Sequence, residues 1–438
     1  MLGVEENKFF SPSDDALKRV AERRGFGDTF RLTPVGVHFG KSGEKTADPY
    51  FGGVGPERTG CINCGECMTG CRHGAKNTLV KNYLYLAERG GARVVAERTV
   101  TDIVDQAGGG FEIKMRPSSS FGGATELVRA DQVIVAAGAL GTAKLLQRVR
   151  SQGNLRGLSE RLGYLSRTNS ESLLGVVARG REVDYSQGSA ITSSIFPDEN
   201  THIESVRYGK GSNFMALLES VAASGKAGQS PNPLRLIWAT ITNLHRLPSL
   251  YNLRDWSQRT LILLVMQTRD NSLTTYLRRG ILGRRLSSRQ GHGEPNPAWI
   301  PVGHEIARDL AEDMNGTAGA VVTEPFGIPM TAHFLGGCVI APDASGGVVD
   351  GYLRAFGVPG LHIFDGSTLS ANPGVNPSLS ITAQAEWACA NWPNLGEADR
   401  RPNLGAAFEV VAPIEPKNPI VPKNAPAALK LISKPVRK

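Results

Sequence analysis

Short segments in which apolar and polar positions alternate recur along the chain and predict β-strands. Residues 94–103 and 111–115 show this alternation on either side of a glycine turn at 108–110, so they predict a β-hairpin. Residues 127–136 predict a further strand that runs into Gly138, after which the apolar positions take helical spacing. A strand that ends in glycine where a helix begins lets a phosphate approach the backbone, so this turn is a candidate nucleotide contact.

The apolar pattern changes between about residues 163 and 329, where short runs are separated by long polar insertions. The runs at 173–177, 189–196 and 261–268 predict antiparallel strands, and hence a second region built on a sheet. Beyond residue 331 glycine-rich segments return and a further helix is predicted. Together these patterns predict an α/β fold, α+β overall, whose two parts interleave along the chain.

Length and composition narrow the class of protein. The chain has 438 residues, of which 40% are hydrophobic and 21% charged, as in a folded enzyme, and its 51 glycines follow no collagen period. The longest apolar run, residues 261–266, is too short to span a membrane. Of the net charge of +8, residues 413–438 hold +5, from five Lys and one Arg against one Glu. We therefore expect no nucleic-acid partner, and a cytoplasmic location or a peripheral membrane contact.

Four of the six cysteines, Cys61, Cys64, Cys67 and Cys71, follow the spacing C-x2-C-x2-C-x3-C. Ferredoxin-type loops hold an iron–sulfur cluster with this spacing. Arg72, however, stands where such loops usually have proline, and the fourth cysteine of that motif often serves a second cluster. Zinc is also possible, although the two separated C-x2-C pairs typical of zinc are missing. The motif predicts either a metal or iron–sulfur site or a structural thiol-rich loop, with or without a disulfide.

Four further residues are candidates for chemistry on a hydroxyl group. His333 precedes a glycine-containing turn and can accept a proton near neutral pH, while Asn376 precedes a predicted helix and can orient the same oxygen. Asp365 ends a predicted strand, where α/β folds place ligand contacts, although a turn-forming Asp-Gly is the simpler explanation. Glu204 lies in an alternating run, where a proton-shuttling carboxylate and an ion pair with Arg207 are the alternatives.

Four segments together resemble the glucose-methanol-choline (GMC) oxidoreductases, flavoenzymes that oxidise alcohols with FAD. They are NCGECMTGCRHGAKNTLVKNYLYLAERGGARV, VIVAAGALGTAKLLQR, HFLGGCVIAPDASGGVVDGYLRAFGVPGLHIFDGS and GVNPSLSITAQAEWA. They occur in the family's order between about Gly60 and Trp387, and HFLGG stands where the family has HPLGG. The segments are most similar to the bacterial cholesterol-oxidase-like branch. This resemblance implies FAD as the cofactor, a 3β-hydroxysteroid or other lipophilic alcohol as the substrate, and oxygen or another electron acceptor.

The resemblance also implies roles for individual residues. His333 would be the active-site base, Asn376 its partner beside the flavin ring, and Glu204 the glutamate of the substrate sheet that moves a steroid proton. The implied FAD contacts are Val95 or Val100 at the adenine, Ala137 and Gly138 at the phosphates, Asp365 and Gly366 at the ribityl chain or pyrophosphate, and Asn376, Pro377 and Ser378 at the isoalloxazine.

One segment of the family pattern is missing from the sequence. Such flavoproteins open with G-x-G-x-x-G between a strand and a helix, whereas the nearest match here, Gly53-Val54-Gly55, has Arg58 in place of the third glycine. We therefore expect a family member that lacks roughly its first 100 residues. The expected fold is an incomplete FAD-binding Rossmann-like domain interleaved with an antiparallel-sheet substrate domain. The alternatives are a long-chain alcohol or sugar dehydrogenase with an iron–sulfur relay, or a non-catalytic fragment that needs a separate N-terminal polypeptide.

The expected organisation of the chain has five parts. They are a substrate-domain segment (1–40), a first FAD-binding part (41–160), the substrate-binding domain (161–330), a second FAD-binding part with the active-site loops (331–400), and a Pro/Lys-rich tail (401–438). Within this tail, six prolines between residues 411 and 438 predict an extended or disordered segment, for which a solvated tail is favoured over a membrane-surface anchor. Within the substrate-binding domain, residues 216–260 predict either an apolar lid or core helices.

Overall fold

The computed structural model describes residues 1–119, 123–223, 233–280 and 283–430. The α-helices are α1 (Pro12–Arg23), α2 (Tyr83–Arg89), α3 (Gly138–Ser151), α4 (Pro233–Thr242), α5 (Leu247–Leu250), α6 (Trp256–Arg259), α7 (Pro301–Asp313) and α8 (Ser378–Ala390). The first ten strands are β1 (Glu5–Glu6), β2 (Arg31–Leu32), β3 (Pro34–Val35), β4 (Lys45–Thr46), β5 (Arg58–Thr59), β6 (Arg98–Asp105), β7 (Phe111–Pro117), β8 (Glu126–Ala130), β9 (Val133–Val135) and β10 (Ser166–Arg167). The other ten are β11 (Ser172–Ala178), β12 (Ile191–Asp198), β13 (Thr201–Val206), β14 (Glu219–Val221), β15 (Thr260–Gln267), β16 (Leu273–Gly280), β17 (Gly283–Gln290), β18 (Gly316–Val321), β19 (Leu335–Gly336) and β20 (Leu361–Ile363). The predicted mixture of helix and sheet is confirmed.

The largest layer is a seven-stranded sheet in the order β14-β18-β11-β15-β13-β12-β2. All of its neighbouring strands run antiparallel, so the antiparallel region predicted from the short apolar runs is confirmed. Glu204 lies on β13 between two partners, Ser194 of β12 and Leu264 of β15. The sheet therefore carries this candidate residue in its interior rather than at an edge.

Helices α1 and α7 pack on this sheet and complete its core. Helix α1 begins at Ser11, whose side chain and that of Asp14 form a reciprocal capping box. Its buried face includes Leu17 and Val20, which pack in one cluster with Leu310 of α7 and apolar residues of the strands. Burying each such aliphatic side chain contributes about 1.5–3 kcal/mol, so this core holds the sheet rigidly in place.

A second core lies outside the large sheet. Strands β9 and β20 pair in parallel, with Leu361 opposite Val133 and Ile363 opposite Val135. Helix α3 covers them and buries Leu146 in the same cluster. A parallel pair with a following helix is the arrangement in which α/β folds place nucleotide contacts at the carboxyl ends of the strands. The start of α3 lies at that end.

The hairpin predicted on either side of the glycine turn is confirmed, because β6 and β7 pair antiparallel across it. The single strand predicted at 127–136 is wrong. The chain forms two strands there, since β8 pairs with β7 while β9 pairs with β20 in another sheet. The change of partner requires a break between Ala130 and Val133, and local alternation of apolar residues does not reveal it.

The C-terminal segment 401–430 contains no helix or strand, as its prolines predicted, and most of its residues are exposed. The backbone N–H of Ile414 donates to the carbonyl of Ala390 at 2.7 Å, and that of Ala427 donates to the carbonyl of Tyr50 at 2.9 Å. These two hydrogen bonds hold the exposed segment against the protein surface, along which it runs from α8 to the N-terminal part. The last eight residues lie outside the described residues.

A carboxyl group is buried inside the sheet region at Glu219 of β14. A Cβ atom at Gly319 or Gly175 would lie only 2.2 or 2.7 Å from Oε1 of Glu219, so these two glycines provide the space for the side chain. Nε1 of Trp256 donates to the other oxygen at 3.2 Å. Burial raises the pKa of Glu219 to about 8, with only partial compensation from the Trp256 hydrogen bond. The folded protein therefore keeps this carboxyl group protonated at neutral pH.

We expect Glu219 to make the stability of the fold depend on pH. Its pKa is raised above the ordinary value of 4.5, so the unfolded chain releases the proton at lower pH than the folded protein. The free energy of unfolding should therefore fall as the pH rises from about 5 to about 8, by up to about 1.4 kcal/mol for each pKa unit of the shift. Urea unfolding at several pH values should give a flatter profile for Glu219→Gln; parallel profiles would contradict this origin.

Candidate functional site

Glu204 and Asn376 are 172 positions apart in the sequence and in direct contact in the structure. Nδ2 of Asn376 donates to both carboxylate oxygens of Glu204, at 2.8 and 2.9 Å. Glu204 is buried on β13, while Asn376 lies in the loop immediately before α8. Two of the three residues predicted to be catalytic therefore meet where the large sheet touches the start of this helix.

The loop that carries Asn376 is held against the sheet region. Nδ2 of Asn169 donates to the carbonyl oxygen of Val375 at 2.8 Å. Gly374 has a φ of +63°, and a Cβ atom at this position would lie 2.1 Å from Oγ1 of Thr268, just after β15. Only glycine permits this backbone conformation together with such a close approach. The glycine in the sequence before Asn376 is thus part of what positions the amide.

His333 is held by a carboxylate that the sequence analysis did not single out. Its Nδ1 lies 2.7 Å from Oε1 of Glu171, a residue that directly precedes β11 and whose side chain is completely buried. Glu171 also accepts hydrogen bonds from the backbone N–H of Ala332 and the hydroxyl of Thr331, each at 2.8 Å. Because a carboxylate oxygen accepts, this contact favours the tautomer with its proton on Nδ1, in which Nε2 is the acceptor.

The candidate catalytic residues share one electrostatic environment. Burial raises the pKa of Glu204, while the hydrogen bond from Asn376 and the neighbouring His333 and Arg31 partly offset that increase. Nε2 of His202 lies 4.0 Å from Oε1 of Glu204. Burial, reinforced by Arg31, lowers the pKa of His202 to about 4, so this ring is neutral at pH 7. His202 therefore adds no positive charge to stabilise the Glu204 carboxylate at that pH.

The structure does not support the ion pair between Glu204 and Arg207 that the sequence left as an alternative. Successive side chains of a strand alternate between the two faces of a sheet. The two residues are three positions apart, so their side chains point to opposite faces. Nη1 of Arg207 donates to the hydroxyl of Ser11 at 2.9 Å, and Nη2 lies 3.8 Å from Asp14. Arg207 thus fastens the start of α1, and the carboxylate of Glu204 is left to Asn376.

Three of the segments predicted to contact FAD meet around Asp365. This residue follows β20, and Oδ1 accepts the backbone N–H of Ser367 at 2.8 Å. Its Oδ2 accepts the hydroxyl of Thr142 in the first turns of α3. The hydroxyl of Thr368 lies 3.0 Å from Oε1 of Gln384 on α8. Asp365 thus caps its own turn, as the simpler explanation predicted, and also ties that turn to α3.

Both helices that begin here, α3 and α8, have N-termini without a side-chain cap. Ala137 is the cap residue of α3, and Gly138 has a φ of +72° with no atom within 4 Å of a Cβ position. Pro377 is the cap residue of α8, which begins at Ser378, and Ser378 is exposed. Free backbone N–H groups at a helix start favour anionic and polar ligand atoms, so these residues fit a dinucleotide such as FAD.

The other predicted FAD contacts are placed differently. Gly366 is buried, and a Cβ atom there would lie 3.1 Å from Cδ1 of Ile381 and 3.2 Å from Cδ2 of Leu335. Val100 lies on β6 and packs against the second core, whereas Val95 precedes that strand and is 48% exposed. Of the two candidates for an adenine contact, Val95 is the one that presents free apolar surface.

The four cysteines of the C-x2-C-x2-C-x3-C motif line a single cavity. All four are free thiols in this structure. Burial raises the pKa of Cys61 to about 11; the backbone N–H of Asn63 opposes this rise, and the thiols of Cys67, Cys64 and Cys71 add to it. The four cysteines, which the sequence showed only as neighbours along the chain, therefore face one cavity in the folded protein.

The surroundings of Cys71 differ from those of Cys61. Burial alone would raise the pKa of the Cys71 thiol, but the backbone N–H groups of residues 73–76 outweigh it, and the pKa lies below its ordinary value. The loop is fixed to the sheet region by a pair of backbone hydrogen bonds, from Gly65 to Gly188 and from Gly188 to Asn63, both of 2.8 Å. The cysteine loop is therefore a defined part of the fold.

Two family models match the sequence, and both are described as GMC oxidoreductase. One matches residues 53–151, which include the cysteine motif and α3. The other matches residues 290–385, which include His333, Asp365 and Asn376. The matches therefore cover the segments on which the resemblance was recognised.

Cholesterol oxidases are similar to the chain over most of its length. A cholesterol oxidase of Mycobacterium tuberculosis is 51% identical over an alignment of 442 positions, which covers 98% of this chain and 76% of the relative. A cholesterol oxidase of Acinetobacter baumannii is 44% identical over 407 residues, 90% of this chain and 72% of the relative. Among solved structures, pyridoxine 4-oxidase from Mesorbium loti matches 86% of this chain and 69% of its own, with 14% identity and a TM-score of 0.48. The similarity to the two cholesterol oxidases thus extends through the sheet region between the family-model matches.

We expect Asn376→Leu to raise the pKa of Glu204 further. The variant removes the hydrogen bond that favours the ionised carboxylate and leaves the group buried. Infrared difference spectroscopy with isotope-labelled glutamate, followed through a pH titration, measures the midpoint of the carboxylic-acid band. Glu204→Gln serves as the control that assigns the band. A midpoint equal to or below that of the unchanged protein would show that the amide does not stabilise the carboxylate.

Proposed function

The chain belongs to the GMC oxidoreductase family, and on this basis we propose that it oxidises the hydroxyl group of a sterol, or of another lipophilic alcohol, with FAD as its cofactor. Members of this family are FAD-dependent alcohol oxidoreductases, and this chain is one of them. The similarity to two cholesterol oxidases over at least 90% of the chain supports a sterol as the substrate. The observation that carries the proposal is the grouping of His333, Glu204 and Asn376 where the sheet meets α8.

In the proposed reaction His333 accepts the proton of the substrate hydroxyl at Nε2. The buried carboxylate of Glu171 keeps the other ring proton on Nδ1 and fixes the direction of the imidazole. Asn376 is proposed to orient the hydroxyl oxygen, and its own position is fixed by Glu204. Burial raises the pKa of Glu204, so its ionised carboxylate is a stronger base than an exposed one. This property supports a role for Glu204 in moving a proton of the steroid.

When FAD is bound, it supplies the hydride acceptor for the carbinol carbon. The open starts of α3 and α8 support a cofactor site built from Ala137, Gly138, Asp365, Gly366, Asn376, Pro377 and Ser378, with Val95 at the adenine. Oxygen is the proposed final electron acceptor, because both of the similar proteins are named oxidases.

An exposed apolar patch supports a substrate that comes from a lipid phase. The apolar patch consists of Leu234, Ile237, Trp238 and Ile241 on α4 together with Phe326 and Ile328. Helix α4 contacts the turn Glu324–Phe326, and the chain then leads within seven residues to His333. Among the described residues, no helix has the length and hydrophobicity needed to cross a membrane. We propose that the patch touches a lipid surface; residues 224–232 of the predicted lid lie outside the described residues.

We expect His333→Ala to slow substrate oxidation by about 10²- to 10⁴-fold, because it removes the proton acceptor. The measurement is the rate at which cholesterol bleaches the flavin absorbance under anaerobic conditions, which does not depend on the electron acceptor. His292→Ala is the matched control, since this histidine is 62% exposed and pairs with Asp270. FAD content is measured for each variant. An unchanged bleaching rate in His333→Ala with FAD bound would sink the assignment of the base.

We expect Trp238→Glu to weaken binding to vesicles of phosphatidylcholine and cholesterol by about 10-fold or more. The indole of Trp238 is 68% exposed, and its transfer from water into lipid favours binding. The variant removes this contribution and places a negative charge at the lipid surface. Co-sedimentation with vesicles measures the effect. The matched control is Leu395→Glu, at a fully exposed leucine outside the patch. Equal losses in the two variants would show that the patch has no particular role in lipid contact.

A further inference from the structure

The cavity of the cysteine motif takes no part in the proposed oxidation, and we propose that it binds an iron–sulfur cluster through Cys61, Cys64, Cys67 and Cys71. Sets of four cysteine thiolates hold [2Fe–2S] and [4Fe–4S] clusters. The sequence left open whether the fourth cysteine serves a separate cluster. In the structure Cys71 lines the same cavity as the other three cysteines, so all four thiols are available to one cluster.

The spacing of the sulfur atoms favours a cluster over a single ion. Four thiolates around one zinc ion, each about 2.3 Å from the metal, would lie about 3.8 Å from one another. Throughout the described part of the chain, the one group of three or more possible metal ligands within 4.8 Å of each other is Cys64, Glu66 and His73. No three of the motif's thiols are that close. An iron–sulfur cluster places several iron and sulfide atoms between its thiolates and therefore suits a wider arrangement.

The backbone of the loop is arranged around the sulfur atoms. The N–H groups of residues 73–76 lie around Cys71, and the N–H of Asn63 donates to Sγ of Cys61 at 3.4 Å. Hydrogen bonds to sulfur are one of the means by which proteins stabilise and tune such clusters. Gly65 has a φ of +73°, and a Cβ atom there would lie 2.2 Å from the carbonyl oxygen of Ser186. This glycine lets the loop curve tightly against the sheet region.

The cavity lies beside the strand that carries Glu204. Cys64 forms a backbone bridge with Gly188, and a Cβ atom at Gly188 would lie 2.3 Å from Nη1 of Arg207. Arg207 comes three residues after Glu204, a distance of roughly 10 Å along an extended strand. These contacts make the cysteine site part of the same folded unit as the candidate active site. A bound cluster would cross-link the loop at the side of the sheet.

The test is metal analysis of the full chain, purified without oxygen and supplied with ferrous iron and sulfide. The expected result is about two to four iron atoms with matching acid-labile sulfide per chain, and an electron paramagnetic resonance signal in one redox state. Iron and sulfide both near zero would overturn the proposal. Zinc bound without sulfide would overturn it in favour of a single ion, and a disulfide within the motif in favour of a cross-linked loop.

Matched variants assign the ligands. Cys67→Ser is expected to lose at least half of the iron and the resonance signal, whereas Cys389→Ser, at an exposed cysteine outside the motif, keeps both. Circular dichroism and thermal unfolding check the fold, and Cys61→Ser gives the same test if Cys67→Ser does not fold. Folded motif variants that retain all of the iron and sulfide would overturn the four-thiol assignment. These measurements do not use alcohol oxidation, so their failure is distinguishable from failure of the proposed function.

Discussion

The contact between Glu204 and Asn376 is the interaction on which the candidate site depends. A buried carboxyl group costs several kcal/mol when it lacks hydrogen-bond partners, so a fold that places one inside a sheet must bring a donor to it. The donor here comes from a loop 172 positions later in the chain. Glu171 repeats the arrangement at the neighbouring end of β11, where it holds His333 and the backbone before it. Two buried carboxyl groups of the sheet thus anchor the two loops that carry the chemistry.

The short strand β10 supports the same junction through the backbone. It pairs with β19, which begins two residues after His333, and with β16. Gly336 makes this pairing possible, because a Cβ atom there would lie 2.1 Å from the carbonyl oxygen of Leu165 and its φ is +68°. The loop of His333 is therefore fixed at both ends, by hydrogen bonds to Glu171 and by strand pairing. Such preorganisation is what a base needs in order to meet a substrate hydroxyl in one orientation.

The cysteine loop uses the sheet in a different way. Its sulfur atoms do not contact the candidate catalytic residues, but its backbone is bonded to Gly188 just before β12, and β12 pairs with the strand of Glu204. The large sheet therefore supports two chemically distinct sites, one built on oxygen and nitrogen donors and one on sulfur. Rigid packing of α1 and α7 on this sheet keeps both in register.

Features that depend on neighbouring residues can be predicted from the amino-acid sequence alone. The β6–β7 hairpin, helix α3, the antiparallel strands and the cysteine spacing follow from local periodicity and turn chemistry, and recognisable segments identified the family. Only the tertiary structure decided that Asn376 rather than Arg207 pairs with Glu204, that Glu171 holds His333, and that the four cysteines share one cavity. It also decided that the proline-rich segment 401–430 packs on the surface. These contacts join residues far apart in the chain, and a buried polar group accepts whichever partner the fold brings near, so no local pattern of residues specifies them.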